Sequence, residues 1–447
     1  MNTKKVVTRM APSPTGKFHI GGIRTAFYNY AFARKHGGKF ILRIEDTDTE
    51  RNKKEYEDEI YEIFKWVGME YDEVYRQSEN LARHQEILEQ LIQSEHAYKA
   101  EDAKDGLGKV IRFKNPNKQI IFHDEILGEI SVDTTDLGDF VIARNIDSPL
   151  YHLAVVVDDY DEGVTHVIRA QEHVANTPRQ ILLHQALGFD TPTYAHVPFI
   201  LGPDGKKKLS KRDGNVAAME YKENGFLPEA LLNFLTFIGW NPGTEQEIFS
   251  KDELIQSFSL EQVQKGPGGF NPEKLSWLNK QWLGKLSDQE FQDYIDPLFT
   301  ELKSTPIYNK EIMENIIPVI RERINYLGDL SEMIQNGELD YYFVDPEINS
   351  EKVVWKKGTP QQTIVHLEKV SEIIENYSGS WNKDSLKELI FPYAEEVGKG
   401  DVLWPLRFSL SGRDKSPDPF TLLEVLGRET SIDRIQQNIK ALKKTNA

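Results

Sequence analysis

The chain has 447 residues, enough for roughly three domains, and carries 54 basic against 71 acidic side chains, a net charge of -17. No global basic field therefore draws in nucleic acid, and any such contact must rest on local patches. There is no cysteine, which excludes disulfides and thiolate zinc sites, and no apolar run approaches about 18 residues or forms a signal-peptide core, so the chain reads as soluble, cytoplasmic and without a membrane partner.

Taken in order, Val6, Val7 and Met10 read as a buried strand. Pro12, Pro14 and Gly16 forbid a helix until about His19, after which Ile23, Ala26, Phe27, Tyr30 and Ala33 recur at helical spacing. The first helical turn thus carries His19, Gly21 and Gly22. A helix N-terminus offers unpaired N–H groups and partial positive charge, and glycines there let a nucleotide approach the backbone. Gly37-Gly38 ends the helix, and residues 40–44 form a second buried strand running into Glu45-Asp46-Thr47-Asp48. In such a βαβ unit, acidic residues at the carboxyl end of a parallel strand face the ligand crevice. Two helices follow, one on Tyr56, Ile60, Ile63, Phe64 and Val67 closed by Gly68, the other on Leu81, Ile87, Leu88, Leu91 and Ile92.

Between about 99 and 147 the pattern shifts to short strands at 110–113, 119–122, 126–132 and 139–144, an antiparallel insertion splitting a nucleotide fold. The near-continuous apolar run 151–157 then reads as a strand ending in Asp158-Asp159, followed by a strand at 165–169 with Ala170-Gln171-Glu172-His173 at its end. Thr177-Pro178 opens a helix that Gly188 closes, and residues 197–201 form a last strand. The turn Pro203-Asp204-Gly205 leads into a dense basic stretch, Lys206 to Arg212, a cationic arm able to close over phosphates. Leu227-Pro228-Glu229 starts an apolar helix through Ile238, and from about 290 the chain reads as helices with polar loops.

The first signature, Pro12-Ser13-Pro14-Thr15-Gly16 leading into His19-Ile20-Gly21-Gly22, and the second, Lys208-Leu209-Ser210-Lys211-Arg212, together resemble the paired "HIGH" and "KMSKS" motifs of class I aminoacyl-tRNA synthetases. In its particular form the first is similar to the bacterial-type glutamyl-tRNA synthetases, since the glutaminyl enzymes usually have a second histidine where Gly22 stands. The resemblance runs over nearly the whole chain. It implies an α/β fold: a Rossmann-like parallel sheet split by an antiparallel insertion and followed by a mostly α-helical C-terminal half. The corresponding segments would be a catalytic domain at 1–98 and 148–240, an inserted acceptor-end-binding segment at 99–147, a stem-contact region at 241–290 that holds Asn271, Pro272, Lys274, Leu275, Trp277, Leu278 and Asn279, and a helical anticodon-binding region at 291–447, where Trp404-Pro405-Leu406-Arg407 and Leu410-Ser411-Gly412 carry the likeness. The family's insertion often contains a cysteine-bearing zinc knob. None can form here, so no structural zinc is expected and ATP with Mg²⁺ is the cofactor requirement.

The resemblance further implies a glutamate–tRNA ligase whose partners are L-glutamate, tRNA(Glu) and, as an open question, tRNA(Gln), acting as a monomer. His19 and Lys211 would be catalytic, the first donating to ATP phosphates and the second neutralising departing pyrophosphate, with Lys208 and Arg212 supporting the loop. Gly21, Gly22, Glu172 and Leu209 would complete the ATP site. Arg9 and Arg169, at carboxyl ends of neighbouring strands, suit the side-chain carboxylate of glutamate, with the Tyr151 hydroxyl. Glu45 suits its ammonium, and Ala11 and Ser13 line the pocket. No residues are expected to hold a metal. Gln171 departs from the acidic residue expected beside Glu172. In the competing structural reading, Arg9 and Arg169 pair with Glu45, Asp46 or Glu172. The competing functions are glutamylation of a modified tRNA base, whose enzymes end soon after the catalytic domain, and a catalytically silent tRNA-binding paralogue, which would have lost His19 or Lys211.

Overall fold

The computed structural model describes residues 5–48, 50–102, 108–209, 216–356 and 358–445, which fall into two units, Met1–Trp282 and Leu283–Ala447. In the first, β1 (Val7–Met10) crosses over through α1 (Ile20–Lys35) to its parallel neighbour β2 (Lys39–Ile44), with Val7 opposite Lys39 and Met10 opposite Leu42. Every residue of β2 after Lys39 is buried, as a strand covered by helices on both faces requires. α2 (Lys54–Trp66) returns the chain to β3 (Glu73–Arg76), parallel to β2 on its far side.

α3 (Leu81–Gln93) leads into the insertion. There β4 (Ala97–Asp102), β5 (Gly108–Phe113), β6 (Gln119–Asp124), β7 (Gly128–Asp133), β8 (Phe140–Asn145) and β9 (Ser148–Pro149) follow one another. Four of them form one antiparallel sheet, in the order β4-β5-β8-β9. The hairpin β6-β7 does not join it.

The apolar run 151–157, expected as a strand, is the core of a helix, α4 (Tyr151–Asp161), opened by an extended Leu150. Residues 153–159 are all buried, so the run is apolar because the helix is covered all round, and a period cannot be read from a continuous apolar stretch. Three consecutive valines favour a strand locally, and packing overrides that preference. β10 (His166–Ala170) follows, then α5 (Thr177–Leu187), capped by a left-handed Gly188, and β11 (Thr193–Val197), parallel to β10 along its whole length. β11 in turn pairs with β6 through Tyr194 and Asp124, while on the other side Thr165 N–H donates to the Val7 carbonyl at 3.0 Å, laying β10 beside β1. The strands therefore run β3-β2-β1, then β10-β11-β6-β7, and the chain order reverses between β1 and β10. Ligand crevices of open α/β sheets form at such a switch point, outside the carboxyl strand ends.

The strand expected at 197–201 is interrupted: Pro198, which has no N–H for the ladder, separates β11 from β12 (Ile200–Leu201). After the basic loop come α6 (Ala218–Glu223), α7 (Pro228–Phe237), α8 (Lys251–Ser257), β13 (Gly268–Gly269), parallel to β12, and α9 (Pro272–Leu283). Trp240, Tyr28, Phe27 and Phe258 fill one core against α1, and Leu88, Leu91, Phe113, Leu153, Val157 and Leu183 fill a second between the insertion, α3, α4 and α5.

The second unit is built of helices, several started by side-chain caps such as Ser287 with Glu290 and Thr359 with Gln362. Its last helical stretch, Pro419–Thr445, bends at Gly427, whose φ of 75° lies in the left-handed region. Arg434 of this stretch is buried, donating to the carbonyls of Tyr341, Leu410 and Val344 and to Asp345. No helix among the described residues is long and apolar enough to cross a membrane.

Candidate active site

The first signature is held from several sides. Pro12 and Pro14 carbonyls accept from Glu45 and Lys53 backbone N–H groups at 3.0 Å each, and the Glu59 carboxylate accepts from Phe18 N–H at 2.9 Å. His19 is the N-cap of α1: its backbone is extended and its Nδ1 accepts from Gly21 N–H at 3.0 Å. An accepting Nδ1 carries no proton, so the ring proton sits on Nε2, which makes that atom a donor. A Cβ on Gly21 would stand 3.1 Å from His19 Nδ1, against the capping bond. At Gly22 the space is taken differently from the sequence expectation: a Cβ there would meet the Phe18 ring at 2.8 Å, so packing under the helix start favours glycine.

The second signature answers it across the cleft. Gly202 N–H donates to the Lys207 carbonyl at 2.8 Å, Asp204 accepts from the backbones of Lys206 and Lys207, and Gly205 takes φ 64°, making a tight turn. Leu209 N–H then donates to the Ile200 carbonyl at 2.8 Å. Ser210, Lys211 and Arg212 lie outside the described residues. Beyond them, the Val216 carbonyl accepts from Ile20 N–H at 3.0 Å and Ala218 N–H donates to the Phe18 carbonyl at 2.8 Å. The chain is thus stitched to β12 at Leu209 and to the start of α1 at Val216 and Ala218. Lys208 pairs with Glu172 and lies 4.6 Å over the Phe199 ring.

Between the two signatures, at the switch point, lies a cavity of about 730 Å³. It is lined by Arg9, Ala11 and Ser13 from the end of β1, by His19, Gly21 and Gly22 from the start of α1, and by Glu45 after β2. Tyr151 at the start of α4, Arg169 and Glu172 after β10, and Lys208 and Leu209 of the basic loop complete the set. Pro12, Pro14, Thr15, Gly16 and Ile20 do not line it and shape the loop and core behind.

The two arginines differ in their company. Arg9 grips Asp159 with Nε at 3.0 Å and Nη2 at 3.3 Å. Asp159 also takes Arg43 Nη2 at 2.8 Å, and Arg43 reaches Glu162 at 2.6 Å and Glu45 at 3.4 Å. Burial pushes the Asp159 carboxyl up, but Arg9 and Arg43 outweigh it and hold it at about 2. Burial dominates at Glu45, raising its carboxyl despite Arg43 and Arg9, and burial likewise raises the Tyr151 hydroxyl. Arg169, only 6% exposed, has no carboxylate within 4.0 Å among the described residues. Its Nε donates to His196 Nε2 at 3.1 Å and its Nη2 to Thr177 Oγ1 at 2.7 Å and to the His173 carbonyl at 3.4 Å. Burial pulls its pKa down.

The sequence reading missed Asp159, Arg43, His196 and Asp124. Asp158-Asp159 was visible as the end of an apolar run, but a strand there hid that both acids point inward from a helix. His196 inside β11 and Asp124 at the end of β6 carried no local signal. Among the described residues no three His, Asp or Glu side chains are grouped to hold a metal ion.

The family model described as the catalytic domain of class I tRNA synthetases (E and Q) matches residues 5–110 and 102–277, and an anticodon binding domain model matches 288–439. Curated relatives include a glutamate–tRNA ligase of Francisella philomiragia, 38% identical and covering 98% of this chain and 99% of its own. Another, from Christiangramia forsetii, is 36% identical over 99% of this chain and 100% of its own. Among solved structures, a glutamate tRNA ligase from Elizabethkingia meningosepticum in complex with its amino acid superimposes with a TM-score of 0.87 at 34% identity, covering 98% of this chain and 100% of that one. A glutamate–tRNA synthetase from Elizabethkingia anophelis gives 0.85 at the same identity and coverage. With a shared catalytic model, full-length relatives and a common fold, this chain belongs to the glutamate–tRNA ligase family of class I tRNA synthetases.

Proposed function

We propose that this chain activates L-glutamate with ATP and transfers it to the 3′ end of tRNA(Glu), releasing AMP and pyrophosphate. In the first step a glutamate α-carboxylate oxygen attacks the α-phosphorus and the bond to pyrophosphate breaks. In the second the terminal ribose hydroxyl of tRNA attacks the activated carbonyl and AMP leaves. Neither step needs a covalent bond to protein; both need alignment and neutralisation of developing charge. His19 supplies the Nε2–H donor to the phosphates, Gly21, Gly22 and Leu209 border the nucleotide, and Lys211, with Lys208 and Arg212, neutralises the leaving pyrophosphate. Glu172, now paired with Lys208, would release that lysine toward ATP. Mg²⁺ would arrive on the triphosphate.

The observation that carries the choice of amino acid is Arg169: a buried guanidinium whose Nη1 makes no hydrogen bond among the described residues and which lacks a carboxylate partner. An uncompensated buried cation favours an anionic ligand. Glutamate brings the missing carboxylate, with Arg9 and Tyr151 adding to the field, and its ammonium would pair with the Glu45 carboxylate. Ala11 and Ser13 border the chain between. The insertion at 99–147 would receive the acceptor end, 241–290 the stem and 291–447 the anticodon, in a cytoplasmic monomer.

Purified protein with ATP, labelled glutamate and bacterial-type tRNA is expected to form glutamyl-tRNA at the 3′ end. Binding of tRNA without charging would instead indicate a silent paralogue, and label on an internal modified base would indicate the other reaction. Separately purified tRNA(Glu) and tRNA(Gln) settle the acceptor. Lys211→Ala is expected to slow activation by about 10²-fold with little change in glutamate affinity, read by pyrophosphate exchange with and without tRNA.

A further inference from the structure

The wall behind Arg169 holds a chain of buried polar groups that the reaction as described does not use. Asp124, the last residue of β6 in the inserted hairpin, is fully buried, as is His196 on β11. Asp124 Oδ2 lies 2.6 Å from His196 Nδ1, and His196 Nε2 lies 3.1 Å from Arg169 Nε. We propose that Asp124 and His196 form a positioning relay that fixes the guanidinium of Arg169 for the side chain of the amino-acid substrate, and so set the preference for glutamate over glutamine. This rests on Arg169 being the partner of the side-chain carboxylate.

The direction of each hydrogen bond follows from the groups. Arg169 can only donate, so His196 Nε2 must present its lone pair, and the ring proton then sits on Nδ1 and points at the carboxylate. Burial pushes His196 down and keeps the ring neutral, consistent with that tautomer. Asp124 is itself saturated with donors: its Oδ1 accepts from the backbone N–H groups of Ile126 at 3.1 Å and Leu127 at 2.8 Å, and its Oδ2 from His196 N–H at 3.1 Å. The Thr177 hydroxyl takes Arg169 Nη2 at 2.7 Å and has two acceptors for its own proton, the His196 Nε2 lone pair at 3.1 Å and the His173 carbonyl at 3.3 Å. One edge of the guanidinium is thereby engaged, which leaves Nη1 as the donor for a ligand. The hairpin β6-β7 adds to the sheet edge beside β11 and delivers Asp124 there, so part of the insertion helps build the amino-acid pocket.

Asp124→Asn tests the relay with an isosteric change. Its amide would face either two backbone donors at the Oδ1 end or the histidine at the other, and the second arrangement drives His196 to the Nε2–H tautomer, setting a donor against Arg169 Nε–H. Charging by the full-length enzyme is measured with glutamate and with glutamine. The KM for glutamate is expected to rise about tenfold or more and the glutamate-over-glutamine ratio to fall by a similar factor, with the KM for ATP unchanged. His196→Gln, whose Oε1 can stand in for the lone pair on Nε2, should keep most of the ratio, and His196→Phe should lose it. Wild-type values in Asp124→Asn, a uniform loss of kcat with the ratio intact, or Gln and Phe variants that behave alike would overturn the relay. Should Asp124→Asn fail to fold, the pair at position 196 decides alone. Arg169→Gln runs in parallel: if it keeps the ratio, the reading of Arg169 itself falls, and if it loses the ratio while Asp124→Asn keeps it, only the relay falls.

Discussion

Arg9 and Arg169 stand at the ends of adjacent strands and look equivalent in one dimension, yet their partners make them different reagents. Arg9 lies against Asp159, a residue 150 positions away that Arg43 also grips, so much of its charge is balanced inside the protein. Among the described residues Arg169 meets only neutral partners, the His196 ring, the Thr177 hydroxyl, the His173 carbonyl and, at 5.4 Å, the face of the Tyr194 ring. Arg169→Gln is therefore expected to remove most of a glutamate-over-glutamine preference of roughly 10³-fold and to raise the KM for glutamate while sparing ATP. Arg9→Gln should instead lower unfolding free energy by about 3 kcal/mol, because it strips a buried carboxylate of one of its two cations. Competitive charging kinetics and denaturant titrations of both variants check the contrast, and identical behaviour of the pair would refute it. That both arginines face a crevice was legible from their places at strand ends. The carboxylate that separates them was not, since an ion pair between distant segments leaves no trace in local pattern.

At the scale of elements, the first signature is a packing motif at the start of α1. Gly22→Ala would place a methyl 2.8 Å from the Phe18 ring. Phe18 is buried, and its backbone is held by Ala218 N–H on its carbonyl and by the Glu59 carboxylate on its N–H, so overpacking should cost about 1–3 kcal/mol. Chemical denaturation is the check, and an unchanged midpoint would mean that Phe18 gives way freely. α1 itself was readable from its periodic apolar residues and the glycines beyond its end. α4 was not, because burial on every side erases the polar face that distinguishes a helix from a strand.

For the molecule as a whole, buried titrating groups set the response to acid. Burial holds His152, His173 and His184 down at about 4, assisted by Arg179 at His152 and by Arg169 at His173. An unfolded histidine titrates near 6.5, so between about pH 6.5 and 4 the unfolded chain takes up protons that the native rings refuse, and stability falls as pH falls. Glu162, raised by burial to about 8, and Glu45, raised likewise, act in the opposite sense, since the native carboxyl keeps a proton that the unfolded one loses. Burial also lowers His166 and His196, and the five rings outweigh these two carboxyls. The thermal midpoint is accordingly expected to drop between pH 6.5 and 5, and His184→Leu should flatten that drop, since its buried Nδ1 has no partner to lose. A midpoint that is flat or rises over this range would contradict the assignment.

Composition, the two signatures and the helical periods were enough to specify the class of fold, because these features are encoded by neighbours in sequence: a proline that blocks a helix, a glycine that ends one, a basic run after a tight turn; the likeness to the family added many of the residues that line the cavity. Three things came from tertiary contact alone. They are the helical state of 151–161, the Asp159 anchor that distinguishes Arg9 from Arg169, and the Asp124–His196 pair behind Arg169. Each depends on which buried surfaces and charges meet across the sheet, and burial removes both the amphipathic pattern and the solvent exposure on which a reading of sequence relies.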